Sequence, residues 1–343
     1  MSFDPQKLTQ DMPPSIPSND VIRLAKVGVD SGNRYTKIFI PGYGLHVVPS
    51  YLYSLKSRDG LPTASQSFCI RYESGDNPTL KGGIALGAIA ADFGAVPIFN
   101  GEKDSYYAEM AIAAIAGILK SGTVSIGELV LCLPDDAPQI IAEISNSLRG
   151  YHQVATPTGY VSLQIKRVSI ETEGIAAYRF LKSQGFYLAN DRINGILDIG
   201  GGNTSGLLFS PSGAPIWESR KVLSGLVELA RKIAVSSENL RGIERGGNSP
   251  KIQLILDGIE KGTYTYGITG KSFEADYLEI FPVWLKALKD EIRLQWGQWL
   301  PSIAEIAIIG GGASLMGDLV ESSKNRFKIC QDSQLITVKG MVI

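Results

Sequence analysis

Two short stretches of the sequence combine a carboxylate, a glycine and a threonine at the same spacing. In VGVDSGNRYTKIF, Asp30 is followed by Gly32 two residues later and by Thr36 six residues later. In ILDIGGGNTSGLL, the same D-x-G-x-x-x-T pattern begins at Asp198. A glycine turn lets backbone amides approach an anion closely, and carboxylate oxygens are ligands that Mg²⁺ prefers. The two stretches therefore predict a site for a polyphosphate and Mg²⁺.

Each stretch taken alone is also compatible with an ordinary type I′ hairpin in which the aspartate is a turn former. The two patterns lie 168 residues apart, one near the start of each half of the chain, and each has an apolar strand on both sides. This shared context favours a duplicated domain. Two such hairpins facing each other across a cleft between the domains could hold a polyphosphate from both sides.

A third glycine run occurs in IAIIGGGASLMGD, where an apolar strand leads into three glycines and a helix is predicted to begin near Ser314. Backbone amides and a helix N-terminus at one place form a natural contact for a nucleotide. The run is neither a G-x-G-x-x-G fingerprint nor a P-loop, which needs G-K-[ST]. The Rossmann and Walker types of nucleotide site are therefore disfavoured.

Strands alternate with helices along the chain, which indicates an α/β protein. The stretch SLQIKRVSIETEGIAAYRFLKSQG predicts a strand followed directly by a helix. The stretch EADYLEIFPVWLKALKDEIRLQW predicts a long helix, in which Pro282 should produce a kink or a break.

The length of 343 residues suggests two domains, and 44% hydrophobic with 20% charged residues is typical of a globular protein. We predict a flexible tail at 1–20, a first domain at 21–185 with a small insert at about 49–100, and a second domain at 186–343 with a small insert at about 226–270. The first 20 residues lack the pattern of a signal peptide.

The composition also limits the partners and the location. A net charge of −1 creates no field that would attract nucleic acid or anionic lipid. Three scattered cysteines argue against a disulfide framework or a zinc site and favour a reducing compartment. The longest strongly apolar run, MAIAAIAGIL, has ten residues, about half a membrane span. We therefore expect a cytoplasmic protein without membrane contact.

Together, the three glycine motifs resemble the phosphate-1, phosphate-2 and adenosine motifs of the actin-like ATPase superfamily, which includes actin, the large heat-shock ATPase chaperones and sugar kinases. Within it, DSGNRYTK is similar to the first motif of bacterial plasmid-segregation actins of the ParM/StbA type, D-x-G-N-x-x-T-K. Their final D-P-Q-x-x-N-x-x-G segment is similar to DSQLITVKG, with Ser333 and Thr337 in place of Pro and Asn. The resemblance covers the chain from Lys26 onward. It implies a duplicated actin-like (ribonuclease-H-like) two-domain α/β fold with a nucleotide cleft between the halves.

The resemblance also implies roles for individual residues around ATP or ADP, with GTP as an alternative nucleotide. Asp30 and Asp198 would hold Mg²⁺, directly or through water, and would orient the attacking water. Lys37 would contact the phosphates. The other implied positions are Ser31, Gly32, Asn33, Gly200, Gly201, Gly202 and Asn203 at the β- and γ-phosphates, and Gly311, Gly312, Ala313 and Ser314 against the adenosine.

The glutamate that assists hydrolysis in this family would be Glu173, which precedes Gly174 at a predicted strand-to-helix junction. Glu171 is the alternative, because the helix dipole by itself favours a carboxylate at a helix N-terminus. The segment EGIAAY resembles the family's E-x-x-x-A run, which favours Glu173.

The function implied by the resemblance is that of a filament-forming ATPase in plasmid or DNA segregation, in which hydrolysis switches assembly and disassembly. Its partners would be further copies of the chain and a separate DNA-binding adaptor, with no direct contact to nucleic acid. A small-molecule kinase of the same superfamily and a non-polymerising nucleotide sensor are alternatives. So is a rod-shape actin of the MreB kind, which usually has T-T-D where this chain has NTSG.

Overall fold

The computed structural model describes residues 21–77, 80–98, 106–133, 138–244 and 248–343. The tail predicted at 1–20 lies outside the described residues. The described chain forms two compact units. The first unit contains the residues up to Phe180 together with Leu335–Ile343, and the second contains Leu181–Gln334.

One ten-stranded sheet forms the framework of the first unit. Its strands are β1 (Ile22–Ser31), β2 (Tyr35–Ile40), β3 (Gly44–Pro49), β4 (Leu52–Leu55), β5 (Ser67–Gly75), β6 (Gly82–Gly87), β7 (Gly122–Leu133), β8 (Gly150–Thr156), β9 (Gly159–Ile165) and β10 (Val168–Thr172). The order across the sheet is β3-β2-β1-β7-β9-β8-β5-β6-β4, and β10 also pairs with β7. The helices that begin in this unit are α1 (Ala88–Asp92), α2 (Tyr107–Leu119), α3 (Pro138–Leu148) and α4 (Ile175–Ser183).

Helix α2 is enclosed by this sheet. It contacts β1, β2, β5, β6, β8 and β9, and eleven of its 13 residues are buried. A helix that is apolar on every side has to be surrounded by other apolar groups, which explains the alanine-rich run in its sequence. Gly117 is needed for this packing, because a Cβ there would lie 2.4 Å from the ring of Phe68. Among the described residues, no helix is both long and apolar enough to cross a membrane.

A five-stranded sheet forms the framework of the second unit. Its strands are β11 (Ile193–Ile199), β12 (Asn203–Phe209), β13 (Pro215–Ser224), β14 (Ile303–Ile309) and β15 (Phe327–Ile329), in the order β13-β12-β11-β14-β15. The helices of this unit are α5 (Leu226–Ser236), α6 (Ile252–Glu260), α7 (Glu274–Gln295) and α8 (Gly317–Ser322).

The two sheets contain the same five-stranded arrangement. Strands β3-β2-β1-β7-β10 repeat the order of β13-β12-β11-β14-β15, with two antiparallel pairs followed by two parallel pairs in both sheets. Asp30 pairs with Lys37 across the first hairpin, and Asp198 pairs with Ser205 across the second. Each aspartate therefore faces the residue seven positions later, and the predicted α/β duplication is confirmed.

Three predicted elements differ from the structure. The strand predicted in SLQIKRVSIET is two strands, β9 and β10, which pair with successive parts of β7. Of the kink or break expected at Pro282, the break does not occur, because helix α7 continues through this residue. The carbonyl that proline leaves without a donor belongs to Leu278, a residue that is 63% exposed. The helix expected near Ser314 begins at Gly317, after a 3₁₀ turn.

Residues 335–343 complete the core of the first unit. The helix α9 (Ile336–Gly340) contacts β1 and β2, and the side chains of Val338 and Met341 are buried. Gly340 packs against α4 so closely that a Cβ there would lie 2.0 Å from the carbonyl oxygen of Ala176. This close contact explains the glycine at the end of DSQLITVKG.

Candidate functional site

The first glycine turn joins β1 to β2. The amide of Gly32 donates a hydrogen bond to the carbonyl of Tyr35 at 3.0 Å, which closes the turn. A Cβ on Gly32 would lie 2.9 Å from that carbonyl oxygen, so the turn requires glycine because of this close approach. The central residues of this hairpin are Asn33 and Arg34, and neither has a positive φ, whereas a type I′ hairpin needs positive φ at both central residues. The ordinary hairpin considered from the sequence is therefore not the conformation found.

Asp30 and Lys37 form an ion pair beside this turn. The distance between Lys37 Nζ and Asp30 Oδ2 is 2.8 Å, and the two side chains are only 13% and 15% exposed, respectively. Because water is largely excluded, the pair is stronger than a typical surface ion pair. Two of the predicted site residues are thus brought into contact.

The hydroxyl group of Tyr107 lies beneath the same turn. Its oxygen accepts a hydrogen bond from the amide of Ser31 at 3.2 Å. Its single hydrogen is shared between the carbonyls of Cys132 at 2.9 Å and Val29 at 3.3 Å. Burial and the negative charge of Asp30 raise the pKa of this phenol well above its usual value, so it stays protonated.

A second hydroxyl group, that of Ser50, holds the other side of the turn. It donates to the carbonyl of Gly32 at 2.6 Å and lies 3.0 Å from the hydroxyl of Thr36. The amide of Ser31 donates to Tyr107 and that of Gly32 donates to Tyr35. The amide of Asn33 has no acceptor among the described residues. Of these three predicted phosphate contacts, Asn33 presents the available amide.

The second glycine turn, between β11 and β12, repeats the first. The amide of Gly200 donates to the carbonyl of Asn203 at 2.9 Å, and a Cβ on Gly200 would lie 2.5 Å from that oxygen. Gly201 and Gly202, like Gly200, have no positive φ. The same close approach therefore requires glycine in both halves of the duplication.

The start of α5 binds the carbonyl groups of the second turn. The amides of Gly225, Leu226 and Val227 donate to the carbonyls of Gly202, Gly200 and Gly201 at 2.8, 3.1 and 2.8 Å. Among the described residues, no group accepts from the amides of Gly201 and Gly202. Two consecutive unbonded amides form a concave site of the kind that binds anions.

The third glycine run lies directly against Asp198. Gly310 has a φ of +89°, and a Cβ there would lie 2.3 Å from Oδ1 of Asp198. The amide of Gly312 donates to the carbonyl of Ile199 at 2.9 Å. Because β11 and β14 are parallel neighbours, the residues that follow their carboxyl ends meet at one edge of the sheet. The second and third motifs therefore lie together at one edge of the sheet in the second unit.

The four predicted adenosine contacts differ in exposure. Gly311 and Ser314 are exposed, whereas Gly312 and Ala313 are buried, with Ala313 completely inaccessible. Ser333 borders this run, because its carbonyl accepts from the amide of Gly310 at 3.0 Å and its hydroxyl donates to the carbonyl of Gly310 at 3.1 Å. Gly311 and Ser314 are thus the two of the four that present accessible surface.

Comparisons with known proteins identify the fold of this chain. No protein-family model and no curated protein sequence matches this chain. Solved structures do match it. A 15-stranded ParM filament from Clostridium botulinum is 13% identical with a TM-score of 0.73, and the match covers 94% of this chain and 98% of that chain. The actin-like protein Alp7A is 14% identical with a TM-score of 0.70, covering 94% and 95%. The archaeal actin homologue Ta0583 in complex with ADP is 17% identical with a TM-score of 0.68, covering 93% and 98%.

The chain has the actin-like fold. At 13–17% identity this likeness establishes the fold and not the activity. The expectation of an actin-like protein similar to plasmid-segregation actins, drawn from three short motifs, is confirmed at that level. In this actin-like chain, the paired turns occupy corresponding places in the two repeats.

The two candidate glutamates have different surroundings in the actin-like fold. Glu173 lies in the turn after β10, and its amide donates to the carbonyl of Leu133 at 3.3 Å. Since β10 is two strands from β1 in the sheet, Glu173 and Asp30 are separated by roughly 10 Å at the same edge. Glu171 forms an ion pair with Arg179 at 2.8 Å, and Arg179 also donates to the carbonyl of Gly340. Glu171 is thus part of the contact that holds α9.

Sequence reasoning did not find Tyr107, Ser50 or Ser333. The side-chain hydroxyl of each one hydrogen-bonds to a backbone group of a predicted turn. Each is distant from that turn along the chain, and Tyr107 and Ser31 are 76 residues apart. A tyrosine at the start of an apolar helix carries no local signal for such a role. Only the packing of α2 inside the sheet brings the hydroxyl to the turn.

Proposed function

We propose that this chain is a nucleotide-dependent, filament-forming actin-like ATPase. The observation that carries the proposal is the repeated carboxylate and glycine turn at the same place in both sheets. In each turn the aspartate is the last but one residue of a central strand, and the glycine amide closes a four-residue loop at 3.0 or 2.9 Å. Such a pair suits a ligand with several phosphates, since each turn offers backbone amides to an anion.

The donor groups in the two units fit a Mg²⁺ nucleotide. The amides of Gly201, Gly202 and Asn33 bind the β- and γ-phosphates, and Lys37 adds a positive charge. Gly311 and Ser314 lie against the adenosine. Oxygen ligands from Asp30 and Asp198, with water and phosphate oxygens, suit Mg²⁺. Adenine and guanine nucleotides share these phosphate contacts, so the base preference is a separate question.

Asp30 and Asp198 would hold Mg²⁺, which would supply positive charge to offset the charge on the transferred phosphoryl group. The same two carboxylates orient the attacking water, while Glu173 accepts a hydrogen bond from that water. Phosphoryl transfer to water needs mainly positioning and charge stabilisation, and this donor set supplies both. Loss of the terminal phosphate then changes the contacts that the chain makes with the nucleotide, which acts as a switch.

Assembly into filaments is supported by the kind of proteins that share the fold. Two of them were solved as filaments, the 15-stranded ParM filament and Alp12. We extend the proposal to DNA or plasmid segregation, with an adaptor protein making the contact to DNA. The net charge of −1 suits a protein that does not bind DNA itself.

Assembly and hydrolysis can be tested together with the full-length protein. Light scattering, pelleting and phosphate release are followed with Mg-ATP, Mg-GTP, Mg-ADP or no nucleotide. Triphosphate-dependent pelleting accompanied by phosphate release is the expected result. Phosphate release without assembly would contradict the filament part of the proposal, and absence of nucleotide binding would contradict all of it.

A small-molecule kinase remains the alternative within the same fold. It would transfer the phosphate to a hydroxyl substrate and would show little release of phosphate to water without that substrate. The same assay distinguishes the two, because the ATPase releases phosphate with nucleotide alone. A rod-shape cytoskeletal role would show the same assembly but would be independent of a plasmid.

A further inference from the structure

We propose that Tyr107 is a positioning residue for Asp30 and thereby sets how the first unit engages a Mg²⁺ nucleotide. The inference rests on the proposed function and goes beyond it, because Tyr107 belongs to none of the three glycine motifs. The inference is based on the hydrogen bonds between the Tyr107 hydroxyl and the backbone beside Asp30.

The hydroxyl binds the peptide groups on both sides of Asp30. The carbonyl of Val29 belongs to the peptide that precedes Asp30, and the amide of Ser31 belongs to the peptide that follows it. Both groups hydrogen-bond to the same oxygen, at 3.3 and 3.2 Å. The backbone of Asp30 is therefore fixed from below, while its carboxylate is fixed from the side by Lys37 at 2.8 Å.

The same oxygen connects β1 to the neighbouring strand. The hydroxyl donates to the carbonyl of Cys132 at 2.9 Å, near the carboxyl end of β7. A tyrosine hydroxyl has one hydrogen, which the carbonyls of Cys132 and Val29 share, and the amide of Ser31 occupies one of its two acceptor sites. Tyr107 thus fixes the ends of β1 and β7 relative to each other at the edge that carries Asp30.

The ring of Tyr107 has little room to move. The residue is completely inaccessible to solvent and is the first residue of α2, which the ten-stranded sheet encloses. Packing at this density holds a side chain in one rotamer, so the hydroxyl is a rigid support. A phenol hydroxyl that was buried without hydrogen-bond partners would destabilise the core, so the contacts with backbone groups are what allow a tyrosine here.

The second repeat supports its aspartate in another way. There Gly310 packs against the carboxylate of Asp198, and the amide of Gly312 donates to the carbonyl of Ile199 at 2.9 Å. Backbone groups of the third glycine run thus support Asp198, as Tyr107 supports Asp30 in the first unit. The two aspartates therefore depend on different supports, and removal of the Tyr107 hydroxyl should affect Asp30 alone.

The test compares Tyr107→Phe with Tyr266→Phe in the full-length protein. Tyr266 is a matched control because it is also buried, accepts a backbone amide hydrogen bond from Lys251 at 2.6 Å and donates to Glu244. Both variants lose a buried hydroxyl and should melt at a lower temperature. For Tyr107→Phe we expect phosphate release to slow by roughly tenfold and half-maximal activity to need more Mg²⁺. Affinity for nucleotide in EDTA should stay unchanged.

A second readout needs no activity. Amide hydrogen exchange in the nucleotide-free protein should become roughly tenfold faster at Ser31 in Tyr107→Phe, with Val27 unchanged. Lower melting temperature with wild-type kinetics, Mg²⁺ dependence and Ser31 exchange would show that Tyr107 serves stability only and would overturn the inference. Faster exchange at Ser31 together with a wild-type protein that binds no nucleotide would confirm the contact between Tyr107 and the backbone. It would contradict the proposed function and, with it, the inferred role of Tyr107.

Discussion

Lys37 Nζ lies 2.8 Å from Oδ2 of Asp30, directly across the ladder between β1 and β2. The residue that faces Asp198 at the same place in the second repeat is Ser205. The two hairpins thus share their backbone geometry and differ in charge. Under the proposed function, Lys37 would exchange the carboxylate of Asp30 for a phosphate oxygen, and we expect the first hairpin to respond to a third phosphate.

Replacing Lys37 by methionine tests this role. Triphosphate affinity should fall about tenfold or more, because a partly buried charge-assisted contact is lost, and diphosphate affinity should change less. Titration with fluorescent nucleotides measures both. Lys286→Met is the control, since Lys286 forms an exposed ion pair with Asp290 on α7. An equal loss for both nucleotides would contradict a role for Lys37 at the terminal phosphate.

Gly310 and Gly311 should respond very differently to alanine. A Cβ at Gly310 would lie 2.3 Å from Oδ1 of Asp198 and requires a φ of +89°, whereas the nearest atom to a Cβ at Gly311 is Nε2 of Gln334 at 3.6 Å. We expect Gly310→Ala to lose about 2–4 kcal/mol of unfolding free energy. Gly311→Ala should fold normally and weaken nucleotide binding by crowding. Urea unfolding and nucleotide titration check the pair, and equal stability of both variants would contradict the packing at Asp198.

Glu173→Gln should slow phosphate release strongly while sparing nucleotide binding, because the amide retains the size of the side chain and loses its basicity. General base groups contribute about 10²–10⁴-fold, which sets the expected range. Single-turnover phosphate release measures the effect. Glu171→Gln is the comparison, and it should mainly lower stability by weakening the contact of Glu171 with Arg179. If Glu171→Gln slows release and Glu173→Gln does not, the two roles are reversed.

Stability should fall as the solution is acidified below about pH 6.5. His152 is fully buried, its Nε2 donates to the carbonyl of Leu148 at 2.8 Å, and Nδ1 accepts from Tyr72 at 3.1 Å. Burial lowers the pKa of His152 below its ordinary value of 6.5. Below that pH the unfolded chain takes up a proton that the folded protein does not, so the free energy of unfolding decreases.

The His152→Gln variant checks this dependence. It should be less stable than the wild type at pH 8 and should lose less stability between pH 7 and pH 5. Urea unfolding midpoints across this range provide the measurement. An unchanged slope would assign the acid sensitivity to other groups, among which His46 is prominent because burial also lowers its pKa.

The hairpins were predictable because their signal is local. The D-x-G-x-x-x-T spacing fixes which residues face each other across the strands, and both registers follow it. The third motif was predictable as a turn, but its contact with Asp198 was not, since it depends on β14 lying beside β11. The continuity of α7 through Pro282 and the division into β9 and β10 depend on neighbours that local patterns do not contain.

The supports of the site were not predictable for the same reason. Tyr107, Ser50 and Ser333 act on backbone groups that lie 76, 18 and 23 residues away along the chain. Their residue types are common at such positions in proteins without any site. The sequence therefore pointed to the glycine turns and did not reveal the side chains that hold these turns in place.

The packing of residues 335–343 in the first unit has a consequence for biosynthesis. Strand β1 leaves the ribosome early, yet Gly28 on that strand lies against Met341 and Val338, which are made more than 300 residues later. Co-translational folding usually completes N-terminal domains first. Here the nascent first unit has to wait for α9 with part of its apolar surface uncovered, so its core closes only after the second unit has been synthesised.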